Sequence, residues 1–270
     1  MPTLGRTEEV FEYIKSVEKS SELVDYSLSL YIIDQNNGLL LNELDDYQFH
    51  NITGHVSKNK VKGLSANRNR GLYFIDSGIC AFPDDDCLYY EDTVECVVNY
   101  FEQNLDVDVV IGRIFDREKK ENIIKNWPNE EVVVNMANFY QLSSSITIFL
   151  REKPDILFDE RLGAGAKFGS CEDPDFLYRL LKNGMKIVYT PTIEVWHPAP
   201  DESSISLDKV KSYSSGFGAF IRKDLDFIKS YLLLGCLAKK GFQFLFMNNK
   251  FRKGYFKAFF SGLFRGLTQF

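Results

Sequence analysis

Ile79-Cys80-Ala81-Phe82-Pro83-Asp84-Asp85-Asp86 is the stretch from which the fold is read. Four apolar residues form a short strand that runs straight into three consecutive acids. Adjacent carboxylates at a strand end repel one another unless a cation neutralises them. Hard divalent cations prefer oxygen ligands, and Mg²⁺ or Mn²⁺ is often held by one or two carboxylates together with substrate phosphates. The run therefore reads as a metal–diphosphate site or as a solvated acidic turn. A haloacid-type phosphatase also places Asp-x-Asp after a strand, but it usually wants Thr or Val where Leu88 stands.

Working outward, helix and strand signals alternate over the first 200 residues. Thr7 precedes a helix with Glu8 and Glu9 in its first turn and Val10, Ile14 and Val17 at helical spacing. Ser27–Ile33 reads as a strand ending at Asp34, and Asn36-Asn37-Gly38 as a turn. Residues 64–77 and 93–104 are expected as helices, and residues 107–114 and Ile146–Leu150 as strands. Asp173–Lys182 follows as a helix, then Lys186–Tyr189 as a strand stopped by Pro191. This rhythm predicts an α/β domain with a mostly parallel sheet and helices on both faces. Pro2-Thr3-Leu4-Gly5-Arg6 resembles a ligand loop leaving a strand. The strand that should precede it is missing: either the chain is truncated at its start, or the sheet lacks its first strand.

Composition narrows the classes. Of 270 residues, 44% are hydrophobic and 26% charged, which excludes wholesale disorder. Five cysteines without a CxxC pair argue against a disulfide framework or a zinc ribbon, and for a reducing compartment. His50, His55 and His197 are too few and too scattered for a His-rich metal site. The opening residues lack the apolar core of a signal peptide, and the Val132–Leu150 run carries too many polar groups to span a membrane.

Other candidates are weak one by one. Glu172-Asp173-Pro174-Asp175 opens a helix, so its acids serve either as dipole-complementing first-turn residues or as a general base. Gly163, Gly165 and Gly169 upstream would let the backbone approach a ligand. His197, Asp34 and the Arg68-Asn69-Arg70-Gly71 turn each have an ordinary structural reading. Their order is more specific. Pro2-Thr3 and Arg6, a strand ending in Asp34, Asn67–Gly71, Pro83–Asp86, Glu172-Asp173, then Pro191 and His197 follow in one sequence. Together, and most closely in Phe158–Gly165, Cys171–Arg179 and Val195-Trp196-His197, they resemble the family 2 glycosyltransferases with the GT-A fold, over about residues 2–200.

The resemblance implies an inverting transferase of the bacterial polysaccharide type. It would move a sugar from a nucleoside-diphosphate donor to a hydroxyl of a glycan or lipid-linked acceptor. By this resemblance Thr3, Arg6 and Asp34 hold the nucleoside. Arg68 and Asn69 contact the base or diphosphate, and Asp85 touches the ribose. Asp86, Asp84 and His197 hold Mn²⁺ or Mg²⁺. Asp173 is the catalytic base, with Glu172 beside it. A sugar nucleotidyltransferase is the rival enzyme, although Gly5-Arg6 is only a trace of the Gly-rich basic loop it needs. A degenerate, non-catalytic membrane-bound partner is the other rival, and the presence of every expected acid speaks against it.

The C-terminal segment differs from the rest. Residues 231–270 carry seven basic residues and no acid, whereas the other 230 carry 25 basic and 38 acidic ones. The segment interleaves those cations with Phe242, Phe244, Phe246, Phe251, Tyr255, Phe256, Phe259, Phe260 and Phe264. The expected organisation is a GT-A domain over 1–230 and an amphipathic tail over 231–270. Its aromatics either pack as terminal core helices or lie on an anionic membrane surface. The expected location is cytoplasmic, peripheral on the inner face of the cell membrane. The acidic body argues against nucleic acid as a partner.

Overall fold

Leu28–Asp34 (β2) is the spine of a three-stranded parallel sheet. One edge pairs along its whole length with Ile52–Lys58 (β3), and the other pairs only at its end, with Pro2–Thr3 (β1). The protein is described from a computed structural model covering residues 1–36, 43–44, 46–199, 206–246 and 249–270, without the side chains at 246 and 249–252. Asn37 and Gly38 of the expected turn lie outside these residues. The chain folds as two compact units. Unit 1 comprises Met1–Lys62, Ala66–Leu157 and Phe176–Pro200, and unit 2 comprises Gly63–Ser65, Phe158–Asp175 and Asp201–Phe270.

In unit 1, Glu8–Ser21 (α1) begins at the expected acids, with Val10, Tyr13, Ile14 and Val17 buried. Thr7 holds the capping position but its side chain makes no cap bond, so the two acids alone complement the helix dipole. Leu64–Tyr73 (α2) begins where a helix was expected but stops short of residue 77, and Thr93–Gln103 (α3) fills its expected span. The second sheet combines Cys80–Ala81 (β4), Leu88–Tyr89 (β5), Val109–Asp116 (β6), Glu121–Asn122 (β7), Val132–Val133 (β8), Ile148–Leu150 (β9) and Ile187–Trp196 (β10). Its path runs β4-β9-β6-β10-β5, with β7 on β6 and β8 on β10. Only β6 and β10 pair in parallel there. Val109, Val110, Ile111 and Ile114 are fully buried, as a central strand covered on both faces requires.

Two local expectations change. Pro191 does not stop the last strand; β10 runs on to Trp196. The β6 register shifts between Tyr189 and Glu194, and Pro191, which has no N–H to give a ladder, sits inside that irregularity. The loop at Pro2 is itself a strand, with Pro2 opposite Ile33 and Thr3 opposite Asp34.

Unit 2 holds the first turn of Glu172–Lys182 (α5), preceded by the short helix Phe139–Leu142 (α4) of unit 1. Three helices complete it: Leu207–Arg222 (α6), Phe227–Phe246 (α7) and Asn249–Gln269 (α8). Ser206 caps α6, its hydroxyl accepting the Lys209 N–H at 3.1 Å. α6 and α8 pack backbone to backbone. A Cβ at Gly262 would lie 2.1 Å from Ser214 Oγ, and one at Gly266 would lie 2.2 Å from the Ser215 carbonyl. Phe256, Phe259 and Leu263 are buried at this end of unit 2. The basic segment thus shares one compact unit with α6, and these two phenylalanines face protein. Among the described residues no helix is long and apolar enough to cross a membrane. The cysteines are free: Cys80, Cys87 and Cys171 are buried, Cys96 and Cys236 partly so.

Candidate active site

The acidic triplet leaves β4 through Phe82 and Pro83, and each carboxylate has a different partner. Arg68 on α2 donates through Nη2 to Asp84 Oδ1 (2.8 Å) and to Ser145 Oγ (2.6 Å). The Arg68 side chain is 1% exposed, so its guanidinium stands behind Asp84 and orients it. Cys87 Sγ donates to the Asp84 carbonyl at 3.2 Å, which ties the turn down from below. Arg6 forks across the other two acids: it pairs with Asp85 and places Nη2 2.6 Å from Asp86 Oδ2. The Leu4 N–H also points at Asp85, at 3.4 Å.

His197 reaches this turn because of strand register. β5 and β10 are antiparallel, with Leu88 opposite Trp196, so the residue after β10 arrives beside the residues just before β5. His197 Nε2 lies 3.4 Å from Asp86 Oδ1, while Nδ1 lies 2.7 Å from the Pro198 carbonyl. With Nδ1–H donated to that carbonyl, the protonated ring gives Nε2–H to Asp86, and the neutral ring would offer an Nε2 lone pair to a cation held between it and the acids. Burial raises the Asp86 carboxyl, but the hydrogen bond and charge of His197, with Arg6, outweigh it and hold Asp86 below the usual range. Burial in turn lowers His197, and the Asp86 carboxylate more than reverses this.

Asp84, Asp86 and His197 bring one ligand atom each to within 4.8 Å of one another, all half-buried. Two carboxylate oxygens and an imidazole nitrogen suit Mg²⁺ or Mn²⁺. The sequence brought out these three residues; it did not bring out Ser145, which shares Arg68 with Asp84.

Thr3 and Asp34 lie side by side across the β1–β2 pair, both fully buried. Asp34 Oδ1 accepts the Asn36 N–H at 2.7 Å, and Asn36 Oδ1 accepts the Gly5 N–H at 2.6 Å. Gly5 has φ +78°, a conformation that glycine adopts without steric cost. Thr3 Oγ1 and Asp34 Oδ2 are buried without a hydrogen-bond partner. Leaving such a group unpaired costs about 1–3 kcal/mol, which a ligand bringing the missing partner would relieve. Asn69 is buried on α2 next to Arg68.

Glu172 and Asp173 stand in the first turn of α5, half-buried, in unit 2. Cys171 precedes them with φ +70°, and Gly163 and Gly165 also take positive φ. Two residues on, Asp175 is fully buried and accepts from Lys223 Nζ at 2.9 Å. Lys223 also pairs with Asp159 at 2.8 Å, and Asp159 pairs with Arg161 at 2.7 Å. Burial opposes the Asp159 charge, but Arg161 and Lys223 prevail and hold that carboxyl well below the usual range. This ion network was not singled out from the sequence. Asp159 and Arg161 do belong to the Phe158–Gly165 run, but their partner Lys223 lies about 60 residues downstream.

Solved structures show the same architecture. S. aureus TarS residues 1–349, in complex with UDP-GlcNAc, aligns with a TM-score of 0.62 at 16% identity, over 97% of this chain and 80% of that one. The mannosyltransferase PcManGT from Pyrobaculum calidifontis, in complex with GDP-Man and Mn²⁺, gives 0.60 at 12% identity, over 99% and 86%. A longer TarS structure gives 0.57, and this chain spans 39% of its length. No curated protein matches the chain. The fold is therefore the mixed α/β fold of the GT-A glycosyltransferases. The chain belongs to glycosyl transferase family 2, whose sequence profile matches residues 1–172. It is a glycosyltransferase, and the sugar nucleotidyltransferase reading is set aside.

Proposed function

We propose that the protein transfers a sugar from a nucleoside-diphosphate donor to a hydroxyl of a glycan or lipid-linked acceptor, in cell-surface polysaccharide synthesis. The observation that carries this reading is the convergence of Asp84, Asp86 and His197 on one point in a family 2 chain. These three residues would hold Mn²⁺ or Mg²⁺. Such an ion supplies electrostatic stabilisation, of about several kcal/mol, to charge growing on a leaving diphosphate. Thr3, Arg6 and Asp34 bind the nucleoside, Thr3 and Asp34 through their unmet polar atoms; Asp85 takes the ribose, and Arg68 and Asn69 contact the base or diphosphate. Asp173, supported by Glu172, takes the proton from the attacking hydroxyl. Such a base contributes about 10²–10⁴-fold. One in-line displacement inverts the anomeric centre.

Residues 1–230 carry the catalysis, and residues 231–270 attach the enzyme to an anionic membrane, peripherally on the cytoplasmic face. Support for attachment comes from α7, where Phe227, Tyr231, Leu234, Phe242 and Leu245 are strongly exposed at helical spacing, near the exposed Lys239.

The test is a nucleotide-sugar hydrolysis screen with Mn²⁺ or Mg²⁺ on the intact chain. Turnover of at least one donor is expected. It should vanish in excess EDTA, return with the metal, and be lost in Asp86→Asn while the circular dichroism spectrum is unchanged. Full turnover in EDTA would remove the metal from the reaction.

A further inference from the structure

Unit 2 buries a set of opposite charges where α6 ends. Lys223 closes that helix, its N–H donating to the Ala219 carbonyl at 2.9 Å. Its ammonium lies 2.8 Å from Asp159 Oδ2 and 2.9 Å from Asp175 Oδ2. The Lys223 side chain is 15% exposed and that of Asp175 0%, so one buried cation is shared by two acids. Taking such charges out of water costs about as much as their attraction returns, and apolar residues of similar volume often fold as well or better. Stability alone therefore does not account for the set. What an ion pair supplies and an apolar contact does not is direction, because the ammonium and the carboxylates are bonded only over a narrow range of angles.

These bonds run from a firmly held helix to a segment that needs aiming. α6 packs backbone to backbone on the residues that lead into α5. A Cβ at Gly216 would lie 2.4 Å from the Ser170 carbonyl oxygen, and one at Gly169 would lie 1.9 Å from Ser212 Oγ, so Gly169 makes room for α6. Ser170 Oγ donates to the Tyr213 carbonyl at 2.8 Å, and at the far end of α6 Lys229 Nζ donates to the Phe220 carbonyl at 2.8 Å. From this reference Lys223 reaches two places. Through Asp159 it holds the turn in which the Leu162 N–H donates to the Asp159 carbonyl at 2.9 Å. The next residue, Gly163, sits so close to α5 that an added Cβ would come 3.2 Å from the Glu172 carboxyl carbon. Through Asp175 it holds the first turn of α5, where the Asp175 N–H donates to the Cys171 carbonyl at 3.1 Å. Helical residues are about 100° apart, so Asp173 and Asp175 point to opposite sides of that turn. Asp175 faces inward on Lys223, and the half-buried Asp173 is turned the other way.

We infer that Lys223 is a positioning residue: by holding Asp159 and Asp175 together it fixes the rotation of the first turn of α5, and so sets the direction in which Asp173 accepts a proton. The inference rests on the reading of Asp173 as the base. Lys223 acts through Asp175 and not on the reacting atoms. A base works only within hydrogen-bond reach of the proton it takes, and an error of about 1 Å in its placement costs about 100-fold. A merely structural lysine changes how much of the protein is folded and leaves the folded fraction fully active. A positioning lysine lowers kcat in protein that is fully folded.

The experiment compares the 270-residue chain with Lys223→Arg, with Lys223→Gln, and with a combined variant carrying Asp159→Leu, Asp175→Leu and Lys223→Met. The combined variant replaces the buried ions by apolar groups of similar volume, while Arg161, 55% exposed, keeps its water. Its thermal midpoint is expected within about 3 °C of the parent. Hydrolysis is read with Mn²⁺ and the best donor among UDP-, GDP- and dTDP-hexoses. The combined variant should lose about 30-fold or more in kcat with donor KM within about twofold. Lys223→Gln, which keeps a hydrogen-bond donor and guards against a combined variant that does not fold, should lose about 10-fold in kcat with the same unchanged KM. Lys223→Arg can still bridge both acids and should stay within about fivefold of the parent. Placed on Asp173→Asn, either the combined change or Lys223→Gln should cost no more than about twofold further, because the group they aim is gone. Amide exchange at Asp173 and Asp175 should quicken by about 10-fold in the combined variant and in Lys223→Gln. Folded variants as fast as the parent would overturn the inference, as would an undiminished loss on top of Asp173→Asn. In both of those outcomes the parent still turns over donor, so the proposed function stands. A parent that hydrolyses no donor would instead remove the proposed function, and with it the base that Lys223 is inferred to aim.

Discussion

The buried Arg68 guanidinium serves Asp84 and Ser145 among its acceptors, and its role follows from that placement. Removing one partner of a buried ion pair costs more than the pair itself contributes, because the other charge is left behind. Asp84 is 30% exposed, which tempers the cost. Arg68→Ala is expected to lose about 2–3 kcal/mol in urea denaturation. It should also raise the Mn²⁺ concentration needed for half-maximal turnover, since Asp84 is no longer aimed; an unchanged metal requirement would make Arg68 purely structural. Asp159 gives a pH-dependent counterpart in unit 2. Its carboxyl is held below its ordinary 3.8 in the fold, so it stabilises the protein above that pH and the contribution fades as pH falls further. Asp159→Asn should therefore cost about 1–2 kcal/mol at pH 7. The gap to the parent should close below about pH 4, as a denaturation series in pH would show.

At the scale of elements, α7 separates itself from its neighbours. α8 turns Phe256, Phe259 and Leu263 inward, whereas α7 leaves Phe227 82%, Tyr231 69% and Leu234 65% exposed. The aromatic segment that looked uniform in composition thus divides in two, and only the burial of its side chains separates the parts. Replacing Tyr231, Leu234 and Phe242 together by Ser should leave the thermal midpoint within about 2 °C, because exposed side chains contribute little to the fold. The same protein should lose co-sedimentation with anionic vesicles, which the parent should show at low salt and lose at high salt. Binding equal to the parent would mean that α7 is not the contact surface. Among the strands, Pro191 reads as a stop because it cannot donate, yet β10 absorbs it in an irregularity and goes on to deliver His197. β3 was not expected at all: Ile52–Lys58 holds His55 and Ser57 amid its apolar residues, and as an edge strand it needs only one buried partner.

Over the whole molecule, what was legible in the sequence is what depends on local chemistry. The helix starts at Glu8 and Glu172, the strand ending at Asp34, and the triplet at 84–86 are dictated by neighbours in the chain. The ordered set of motifs then identified the family. Contacts that link distant segments were not legible. Arg68 reaching Ser145, Lys223 closing on Asp159 and Asp175, and Gly262 admitting Ser214 are matters of three-dimensional register. The metal residues lie between these cases. Asp84 and Asp86 are local, whereas His197 meets them only because β5 and β10 pair antiparallel.

The five free cysteines acquire a use from their placement. Burial pushes the Cys80 thiol up to about 11 and Cys87 well above its ordinary value, so neither offers a thiolate to a reagent at neutral pH. Cys96 in unit 1 and Cys236 in unit 2 are partly open, and each unit also holds a buried counterpart, Cys87 and Cys171 respectively. An alkylating label applied in a short pulse therefore writes a record of which unit has come apart. Peptide masses bearing the tag at Cys80 or Cys87 report opening of unit 1, and a tag at Cys171 reports opening of unit 2, so the two halves can be followed separately in one tube without adding a probe.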